Sequence, residues 1–414
     1  MMREFIERMR EAGEVIDVEE ECSTVFEAPK MAQSTDKLLF FHKLDGTHRG
    51  VMNVTASRRS LALAMGKNEK TMVRELAGAE FSGTLENKGR LNLHAPDLYS
   101  LPIMKHFPLD AGRYLTSAVV CSEYNGVSNA SIHRMLVLDE KRLAARLVEG
   151  RHTYTMHRQA LEDGEVLPVA ITIGTHPAVT FASCTRVPEG KELPYAAELL
   201  GGTLPVFECS NGVKVPDAEI VFEGYIGKNQ VDEGPFVDIT GTYDPVRSGP
   251  VIELTGMHVK NDPIYHGILP AGNEHKLLMG MPYEPKIFRA VGGVTVVHNV
   301  VLTTGGCGYL HAVVQIKKST QGDGKNAIMA AFAAHTSLKH VVIVDDDIDP
   351  FDMADVEFAI ATRVRGDRDL MVIEGVRGSS LDPCRTDDGT NVKIGIDATM
   401  VMGEEDKYIR AKWS

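Results

Sequence analysis

Residues 215–241 read VPDAEIVFEGYIGKNQVDEGPFVDITG, an apolar run followed by a segment that carries two acids. The part AEIVFEGYI is typical of a β-strand. The Gly-Pro step that follows predicts a turn, so Glu233 and Asp238 do not lie on a regular helix face surrounded by solvent. Phe236 and Ile239 are apolar neighbours of these acids. The stretch therefore predicts a strand leading into a turn that holds two carboxylates near each other.

The region around this stretch, from about 115 to 265, consists of short β-branched runs separated by Gly, Pro, Asn and Asp. This spacing predicts a compact barrel or sandwich. Two interruptions, KRLAARLVEG (141–150) and LPYAAELLGG (193–202), predict helices. On either side, in residues 1–95 and in the last third of the chain, helical and strand-like runs alternate. The sequence therefore predicts a mixed fold with a β-rich centre between two α/β segments.

Composition excludes several classes of protein. The 414 residues carry a net charge of −13 and contain no Lys/Arg-rich run of five or more, which argues against nucleic acid or an anionic membrane as the main partner. No apolar run approaches the roughly 20 residues of a membrane span, and the charged N-terminal helix is not a signal peptide. The six cysteines are scattered without a CxxC pair, so we expect reduced thiols in a cytoplasmic protein, without disulfides or a zinc site.

Single polar residues in the central region are candidates for chemistry. Asn129, His133 and Arg134 lie near the start of a predicted strand, and His157 lies on a short predicted helix. Glu192 begins another helical run. Taken one at a time, each is more typical of an ordinary core or surface group than of a catalytic or binding residue.

A run of acids, VDDDIDPFD at 344–352, follows a predicted strand in the last third of the chain. Asp345–Asp349 at such a position are typical of a magnesium site for phosphoryl transfer. They are also typical of a helix-capping and ion-pair cluster, because Asp349-Pro350 precedes a predicted helix. The sequence contains no glycine-rich GxxxxGK[ST] segment, which favours the second interpretation.

Several segments, taken together and in order, resemble one family, the UbiD-type decarboxylases that use prenylated FMN. The similarity begins with REFIERMREAGEVIDV and continues through NASIHR. It includes VPDAEIVFEGYI followed by DEGPFVDITGTYD, and it closes with HVVIVDDDID and VKIGIDAT. The resemblance implies an α+β fold with an N-terminal α/β segment (1–110), a central split β-barrel that binds the flavin (111–282) and a C-terminal α/β oligomerisation domain (283–414).

The resemblance also implies roles for individual residues. The family pattern N-x-x-x-x-R, followed downstream by E-G-P-[FY]-G-[ED], maps onto Asn129, Arg134, Glu233 and Asp238. Val237 departs from it, since the pattern has glycine there, and we expect a narrower pocket at that point. The implied metal is manganese or another divalent ion, with potassium nearby. The implied catalytic residues are Arg134, Glu233 and Asp238; the implied cofactor-binding residues are Asn129, Ser131, Ile132, His133, Arg134, His157, Ser183 and Lys393; and the implied metal ligands are Asn129, His157 and Glu192.

These roles give the two acids of the opening stretch a purpose. A planar guanidinium, Arg134, is expected to hold both a substrate carboxylate and Glu233. Glu233 is expected to donate a proton where CO2 departs. Because Asp238 disfavours ionisation of both acids, the pair is expected to retain one proton and to titrate as a unit.

The resemblance leaves more than one substrate open. The short chain is similar to an archaeal branch that converts trans-anhydromevalonate 5-phosphate to isopentenyl phosphate in isoprenoid biosynthesis, and His133, Arg158 and Lys260 are candidates for binding the substrate phosphate. One alternative is a 4-hydroxybenzoate-type aromatic acid of quinone biosynthesis. Alternatives of other classes are a magnesium-dependent phosphotransferase using Asp345–Asp349 and an inactive scaffold. The implied partners are a flavin prenyltransferase that supplies the cofactor and further copies of this chain, in a homodimer or a multiple of dimers.

Overall fold

The computed structural model of the protein describes residues 1–411, and these form the mixed α+β structure that the sequence predicts. The chain divides into two compact units, one of residues 1–69 and 79–278 and the other of residues 70–78 and 279–414. The sequence also predicts a polar amphipathic tail, GEEDKYIRAKWS, and its last residues, 412–414, lie outside the described residues. The three-domain division stays a prediction.

Helices and strands are interspersed along the whole described chain. The helices are α1 (Met2–Glu11), α2 (Glu27–Gln33), α3 (Arg58–Ala64), α4 (Met72–Ala77), α5 (His152–Glu162), α6 (Pro177–Cys184), α7 (Glu192–Leu199), α8 (Asn273–Gly280), α9 (Glu284–Gly292), α10 (Asp323–Ala334) and α11 (Met353–Arg363). The strands are β1 (Val15–Cys22), β2 (Leu38–Leu44), β3 (His48–Met52), β4 (Thr84–Arg90), β5 (Tyr114–Leu115), β6 (Val119–Tyr124), β7 (Val127–Ile132), β8 (Met135–Val137), β9 (Arg142–Ala145), β10 (Leu167–Ile173), β11 (Thr203–Glu208), β12 (Lys214–Pro216), β13 (Ile220–Glu233), β14 (Phe236–Val237), β15 (Tyr243–Asp244), β16 (Arg247–Val259), β17 (Ile264–His266), β18 (Val296–Leu302), β19 (His311–Lys317), β20 (His340–Val344), β21 (Leu370–Arg377) and β22 (Thr390–Ala398).

The first unit begins with a four-stranded sheet in the order β1-β2-β3-β17. The apolar face of α1 packs against this sheet, where Phe5, Ile6 and Met9 share one buried cluster with Leu38 and Val51. These are the side chains that the amphipathic pattern of the opening residues places on one side of a helix. The N-terminal α/β segment is therefore built as the pattern predicts.

The centre of the first unit is an eight-stranded antiparallel sheet in the order β5-β8-β9-β16-β13-β10-β6-β7. Val120, Ile171, Phe222 and Ile252, from four of its strands, lie in one buried core. The two long strands, β13 and β16, pair along most of their length. The end of β13 and the short segment between β7 and β8 carry the polar residues of interest, and the sheet holds both in place.

The prediction of a helix at 141–150 was wrong, because residues Arg142–Ala145 form β9 between β8 and β16. Alanine, leucine and arginine favour helices, but both neighbouring strands offer backbone hydrogen-bond partners there. Leu143 and Ala145 are fully buried in the core of the sheet, so tertiary pairing outweighs local propensity. The other predicted helix, LPYAAELLGG, is confirmed as α7.

The second unit contains a five-stranded sheet in the order β18-β19-β20-β22-β21. Val342, Val344, Val356 and Ala359 pack between β20 and α11 in one buried cluster. The strands and helices predicted for the last third of the chain are present in this unit. None of the helices in residues 1–411 is both long enough and apolar enough to cross a lipid bilayer.

Candidate active site

The turn after β13 folds back as a short hairpin that brings its two acids to the same place. Glu233 is the last residue of β13, and Gly234 adopts a φ of 99°, a backbone conformation that favours glycine. Phe236 then begins β14, which pairs with β15. The backbone N–H of Asp238 donates to the carbonyl of Thr242 at 3.0 Å, which closes the hairpin. The two carboxylates therefore sit on a fixed backbone.

Arg134, in the short segment between β7 and β8, contacts both of these acids. Its Nε and Nη2 atoms each donate to Glu233, at 3.0 Å to Oε1 and 3.0 Å to Oε2, so the pair is bidentate. Its Nη1 atom lies 3.4 Å from Asp238 Oδ2. The structure thus brings together the three side chains that the sequence places 99 and 104 positions apart.

A third acid, Asp244, completes this cluster and has no role in the sequence interpretation. Its Oδ2 accepts a hydrogen bond of 2.8 Å from Arg134 Nη2, and its Oδ1 accepts one of 2.8 Å from Arg247 Nη2. Asp244 belongs to the block DEGPFVDITGTYD, so the quoted motif contained it. A predicted hairpin over this block would have identified it, because the hairpin places residue 244 beside residue 236.

The cluster is strongly desolvated. The Glu233 side chain is 0% exposed, and that of Arg134 is 11% exposed. Burial tends to lower the pKa of Arg134, but the hydrogen bonds and the charge of Glu233 outweigh it and raise that pKa. Burial tends to raise the pKa of Asp244, but its bonds to Arg247 and Arg134 outweigh this and lower that pKa. Arg134 and Asp244 are therefore both charged near neutral pH.

Two aromatic side chains, Phe236 and Tyr114, lie beside the cluster. The Arg134 guanidinium carbon lies 5.0 Å from the ring centre of Phe236, and the Tyr114 ring lies 4.2 Å from the same centre. Burial, followed by the charge of Glu233, raises the pKa of Tyr114. Within the described chain both ring nitrogens of His106 have no hydrogen-bond partner. The acids and the arginine therefore meet in apolar surroundings.

The predicted cofactor-binding segment at the end of β7 forms a network of its own. The Asn129 amide donates to Ser131 Oγ at 3.1 Å and to Thr153 Oγ1 at 3.0 Å. His133 Nε2 lies 2.9 Å from Ser131 Oγ and 3.0 Å from Thr153 Oγ1, while Ile132 is half-buried beside them. Burial lowers the pKa of His133 to about 4, so its ring is neutral at physiological pH. Thr153, which the sequence interpretation missed, ties this segment to the first turn of α5.

The imidazole beside Glu192 is His152, and the sequence interpretation had named His157. His152 Nδ1 lies 3.2 Å from Glu192 Oε1. His157, on the same helix, instead has its Nε2 2.9 Å from the carbonyl oxygen of Gly227. The segment RHTYTMHR contains two histidines. Which of them lies beside Glu192 depends on where α5 begins and how it is oriented.

Asn129, His152 and Glu192 are linked into one region. The bond from Asn129 to Thr153 brings this amide to the residue next to His152. Burial raises the pKa of Glu192 more than its bond to His152 lowers it. No group of three or more His, Cys, Asp and Glu side chains suited to a metal ion occurs in residues 1–411.

Two further predicted cofactor ligands lie outside these networks. Ser183, on α6, is buried, and its hydroxyl has no hydrogen-bond partner within residues 1–411. Lys393 belongs to β22 of the second unit, where its ammonium donates to the carbonyls of Thr336 and Leu338, each at 2.6 Å. Burial lowers the pKa of Lys393 to about 8. Their roles as ligands of a cofactor stay predictions.

Two of the candidates for a substrate phosphate are already paired with acids. Arg158 Nη2 lies 3.1 Å from Glu162 on an exposed helix face, and Lys260 Nζ lies 2.7 Å from Asp217. No hydrogen bond or ion pair connects either of them to Arg134 in the described part of the chain. The third candidate, His133, is neutral. A phosphate site built from these residues stays a prediction.

The acidic run in the second unit is an ion-pair and capping cluster. Arg363 donates to Asp345 at 2.8 Å and to Asp347 at 2.7 Å and 3.0 Å. Asp352, at the end of the same run, caps α11 by accepting a bond of 2.9 Å from the backbone N–H of Ala354. An internal guanidinium thus occupies oxygens of Asp345 and Asp347, two of the acids that a magnesium ion would need. The interpretation as caps and salt bridges is confirmed.

Arg363→Met is expected to destabilise this unit strongly. The change leaves Asp345, which is buried, without its main counter-charge, at a cost of about 3 kcal/mol in the free energy of unfolding. Arg365→Met is the matched control, because Arg365 pairs with Asp367 at 2.8 Å on an exposed surface and should change stability by less than about 0.5 kcal/mol. Urea denaturation of both variants checks this, and equal effects would contradict it.

Family models match nearly the whole chain. The models describe the N-terminal domain, the Rift-related domain and the C-terminal domain of 3-octaprenyl-4-hydroxybenzoate carboxy-lyase, and they match residues 6–80, 81–273 and 276–398 respectively. Together they cover the segments in which the arginine, the acids and the polar network lie.

A named relative is similar over nearly its full length. A protein of Methanosarcina mazei named anhydromevalonate phosphate decarboxylase is 54% identical over 419 residues, which cover 99% of this chain and 98% of the relative. Among solved structures, the UbiD-class enzyme HmfF from Pelotomaculum thermopropionicum in complex with FMN superposes with a TM-score of 0.95 at 34% identity, covering 100% of this chain and 97% of that one. An evolved dimeric form of HmfF in complex with prFMN gives a TM-score of 0.90 at 33% identity, with coverage of 99% and 98%.

Proposed function

Because this chain belongs to the UbiD family of carboxy-lyases, we propose that it catalyses the non-oxidative decarboxylation of an α,β-unsaturated acid, trans-anhydromevalonate 5-phosphate, to isopentenyl phosphate. The observation that carries the chemistry is the bidentate pair of Arg134 with a fully buried Glu233. The name of the Methanosarcina relative supports the choice of substrate. The reaction would serve isoprenoid biosynthesis in the cytoplasm.

We assign the steps at the acid substrate to three side chains. Arg134 binds the substrate carboxylate through Nη1, because Glu233 and Asp244 take the N–H groups on Nε and Nη2. Prenylated FMN, of the kind bound by the HmfF neighbour, supplies the electron-accepting ring that protein side chains lack. Glu233 takes up one proton from solvent in each turnover, delivers it to the carbon from which CO2 has left, and returns to the carboxylate that Arg134 binds. Asp238 is the second acid beside Arg134, with its Oδ2 atom 3.4 Å from Nη1 of the guanidinium.

The cofactor and its metal are assigned to the polar network beside this site. We propose Asn129, His152 and Glu192 as ligands of a manganese ion, with His152 in the place first given to His157. An amide oxygen, an imidazole and a carboxylate suit manganese, and the raised pKa of buried Glu192 means that a cation there would stabilise its charged form. Potassium would lie nearby. Ser131, Ile132, His133, Ser183 and Lys393 are assigned to the cofactor.

The assembly follows from the same assignment. A flavin prenyltransferase would supply the cofactor, and copies of this chain would associate as a homodimer or a multiple of dimers. The dimeric form of the HmfF neighbour supports self-association.

The substrate assignment is tested with purified protein made together with a flavin prenyltransferase. Release of CO2 is measured with trans-anhydromevalonate 5-phosphate and with 4-hydroxybenzoate under the same conditions. We expect turnover of the phosphorylated acid at least about a hundred times faster in kcat/KM, since a site built for a charged group rejects a substrate that lacks it. Turnover of the aromatic acid alone would contradict the assignment.

The metal assignment predicts different effects for two histidines of one helix. His152→Asn and Glu192→Gln are expected to lower both manganese content and bound flavin by at least about tenfold, because each removes a ligand. His157→Asn is the matched control and should retain both, since His157 bonds to the Gly227 carbonyl. Metal analysis and flavin absorbance of the three proteins check this. Loss of manganese in His157→Asn with retention in His152→Asn would restore the original assignment.

A further inference from the structure

Asp244 occupies an unusual place in the cluster because it links two arginines. One of its oxygens lies 2.8 Å from Arg134 Nη2 and the other 2.8 Å from Arg247 Nη2. Arg247 Nε also lies 3.2 Å from Asp244 Oδ1. The Asp244 side chain is only 12% exposed, so its geometry is set by protein contacts more than by solvent. The contacts from Arg134 to Asp244 and on to Arg247 form a series that leads away from the buried Glu233.

The donors of Arg134 show what this link does. A guanidinium has five N–H groups, one on Nε and two on each Nη atom. Glu233 takes the Nε hydrogen and one on Nη2, and Asp244 takes the other on Nη2. Nη1 makes only the long 3.4 Å contact with Asp238. The Nη1 edge is therefore the edge left for an incoming carboxylate.

We propose that Asp244, held in place by Arg247, is a positioning residue that fixes the guanidinium plane of Arg134 and so presents its Nη1 edge to the substrate carboxylate. This inference rests on the proposed decarboxylase function. It assigns Asp244 no contact with substrate. Its effect passes through Arg134, whose other anchor, Glu233, must change its bonding when it releases a proton.

The backbone makes this support rigid. Arg247 is the direct cross-strand partner of Glu233 in the pairing of β13 with β16, and Asp244 is the partner of Phe236 in the hairpin. A side chain at Gly249 would come within 2.6 Å of the Ala145 carbonyl oxygen, so β16 packs closely against β9 there. Asp244 and Arg247 thus lie on strands that pair with the residues of the site, Phe236 and Glu233.

The charges around Asp244 determine what its removal does to proton transfer. The bonds from Arg247 and Arg134 keep its pKa low despite burial. His275 faces Asp238 from α8. Arg134, Arg146, Arg247, Glu233, Asp238 and Tyr114 also face this cluster, and His106 lies against Phe236 beside it. Loss of one negative charge here favours ionisation of the remaining acids, and loss of Arg247 has the opposite effect.

The first test compares Asp244→Asn, Arg247→Gln and the double variant with the parent protein loaded with cofactor. Asp244→Asn is expected to lower kcat about tenfold or more with KM changed less than about threefold, because misorientation affects the transition state. The alkaline limb of its kcat profile should move to lower pH by on the order of half a unit, and that of Arg247→Gln to higher pH. The double variant should be no slower than Asp244→Asn, since Arg247 acts through Asp244.

A matched control lies elsewhere on the same sheet. Asp139 and Arg142 form another pair three residues apart, 2.6 Å from carboxylate to Nε, on an exposed surface. Asp139→Asn and Arg142→Gln should leave kcat and both pH limbs unchanged. Unchanged kcat and pH limbs in Asp244→Asn would overturn the inference, as would shifts of the same sign in Asp244→Asn and Arg247→Gln.

A second readout does not depend on turnover. Rotation of the Arg134 guanidinium about its Cζ–Nε bond is measured by ¹⁵N NMR, with Arg134→Lys used to assign the signal. We expect hindered rotation in the parent protein and rotation at least about ten times faster in Asp244→Asn, because one of two anchors is gone. Equal rotation in the two proteins overturns the inference even if the proposed substrate is wrong. Absence of turnover in the parent protein, with rotation changed as expected, contradicts the proposed function alone.

Discussion

Glu233→Gln is expected to lower the rate of decarboxylation by about 10³-fold or more while the flavin stays bound. The amide has nearly the same size and still accepts one of the two hydrogen bonds from Arg134, which Asp238 and Asp244 continue to hold. It cannot release a proton to the carbon left by CO2. Product formation under saturating substrate, together with the flavin spectrum of the variant, measures both parts of this prediction.

The control for this substitution is Glu253→Gln, on the exposed side of β16, which should retain the parent rate. Exchange of the product carbon with solvent deuterium adds a second check, since the variant should incorporate little or none within the assay. A variant of Glu233 that loses its flavin would show that the residue serves the cofactor. One that keeps the parent rate would show that another acid donates the proton.

Much of the central site follows from the sequence because a turn is a local feature. A Gly-Pro step after a strand reverses the chain, so Glu233 and Asp238 are brought together within six residues. Arg134 was reached through the family resemblance, and no local rule connects it to residues 99 positions away. Asp244 was missed because its contact with Arg134 depends on the pairing of β14 with β15, which is only two residues long.

The imidazole that lies beside Glu192 illustrates a different limit. His152 and His157 are five residues apart, so on a helix they point in different directions, and the sequence alone gives no preference. The preference comes from where α5 begins and from the position of α7, which carries Glu192. The wrong prediction for β9 has the same cause, since it too depends on contacts with other elements of the fold. Its residues favour a helix locally, and only the neighbouring strands make them a strand.

Arg134→Lys is expected to lower kcat/KM by at least about 10³-fold although the positive charge is kept. A lysine ammonium is a point charge with three donors on a flexible stem, so it cannot bond both oxygens of Glu233 in one plane and also reach Asp238 and Asp244. Arg142→Lys, at an exposed pair with Asp139, is the matched control and should be nearly neutral.

The two possible causes of such a loss are separable. If Arg134 only balanced the charge of the acids, lysine would restore activity, and the loss would be small. If it orients the carboxylate of the substrate, both kcat and KM should worsen while the flavin content stays constant, since the Arg134 side chain bonds to the three acids. Because Glu233 is wholly buried, a poorly placed ammonium also leaves it partly uncompensated, and the melting temperature of the variant should fall. An active and equally stable Arg134→Lys protein would mean that the planar fork of donors is not what the reaction requires.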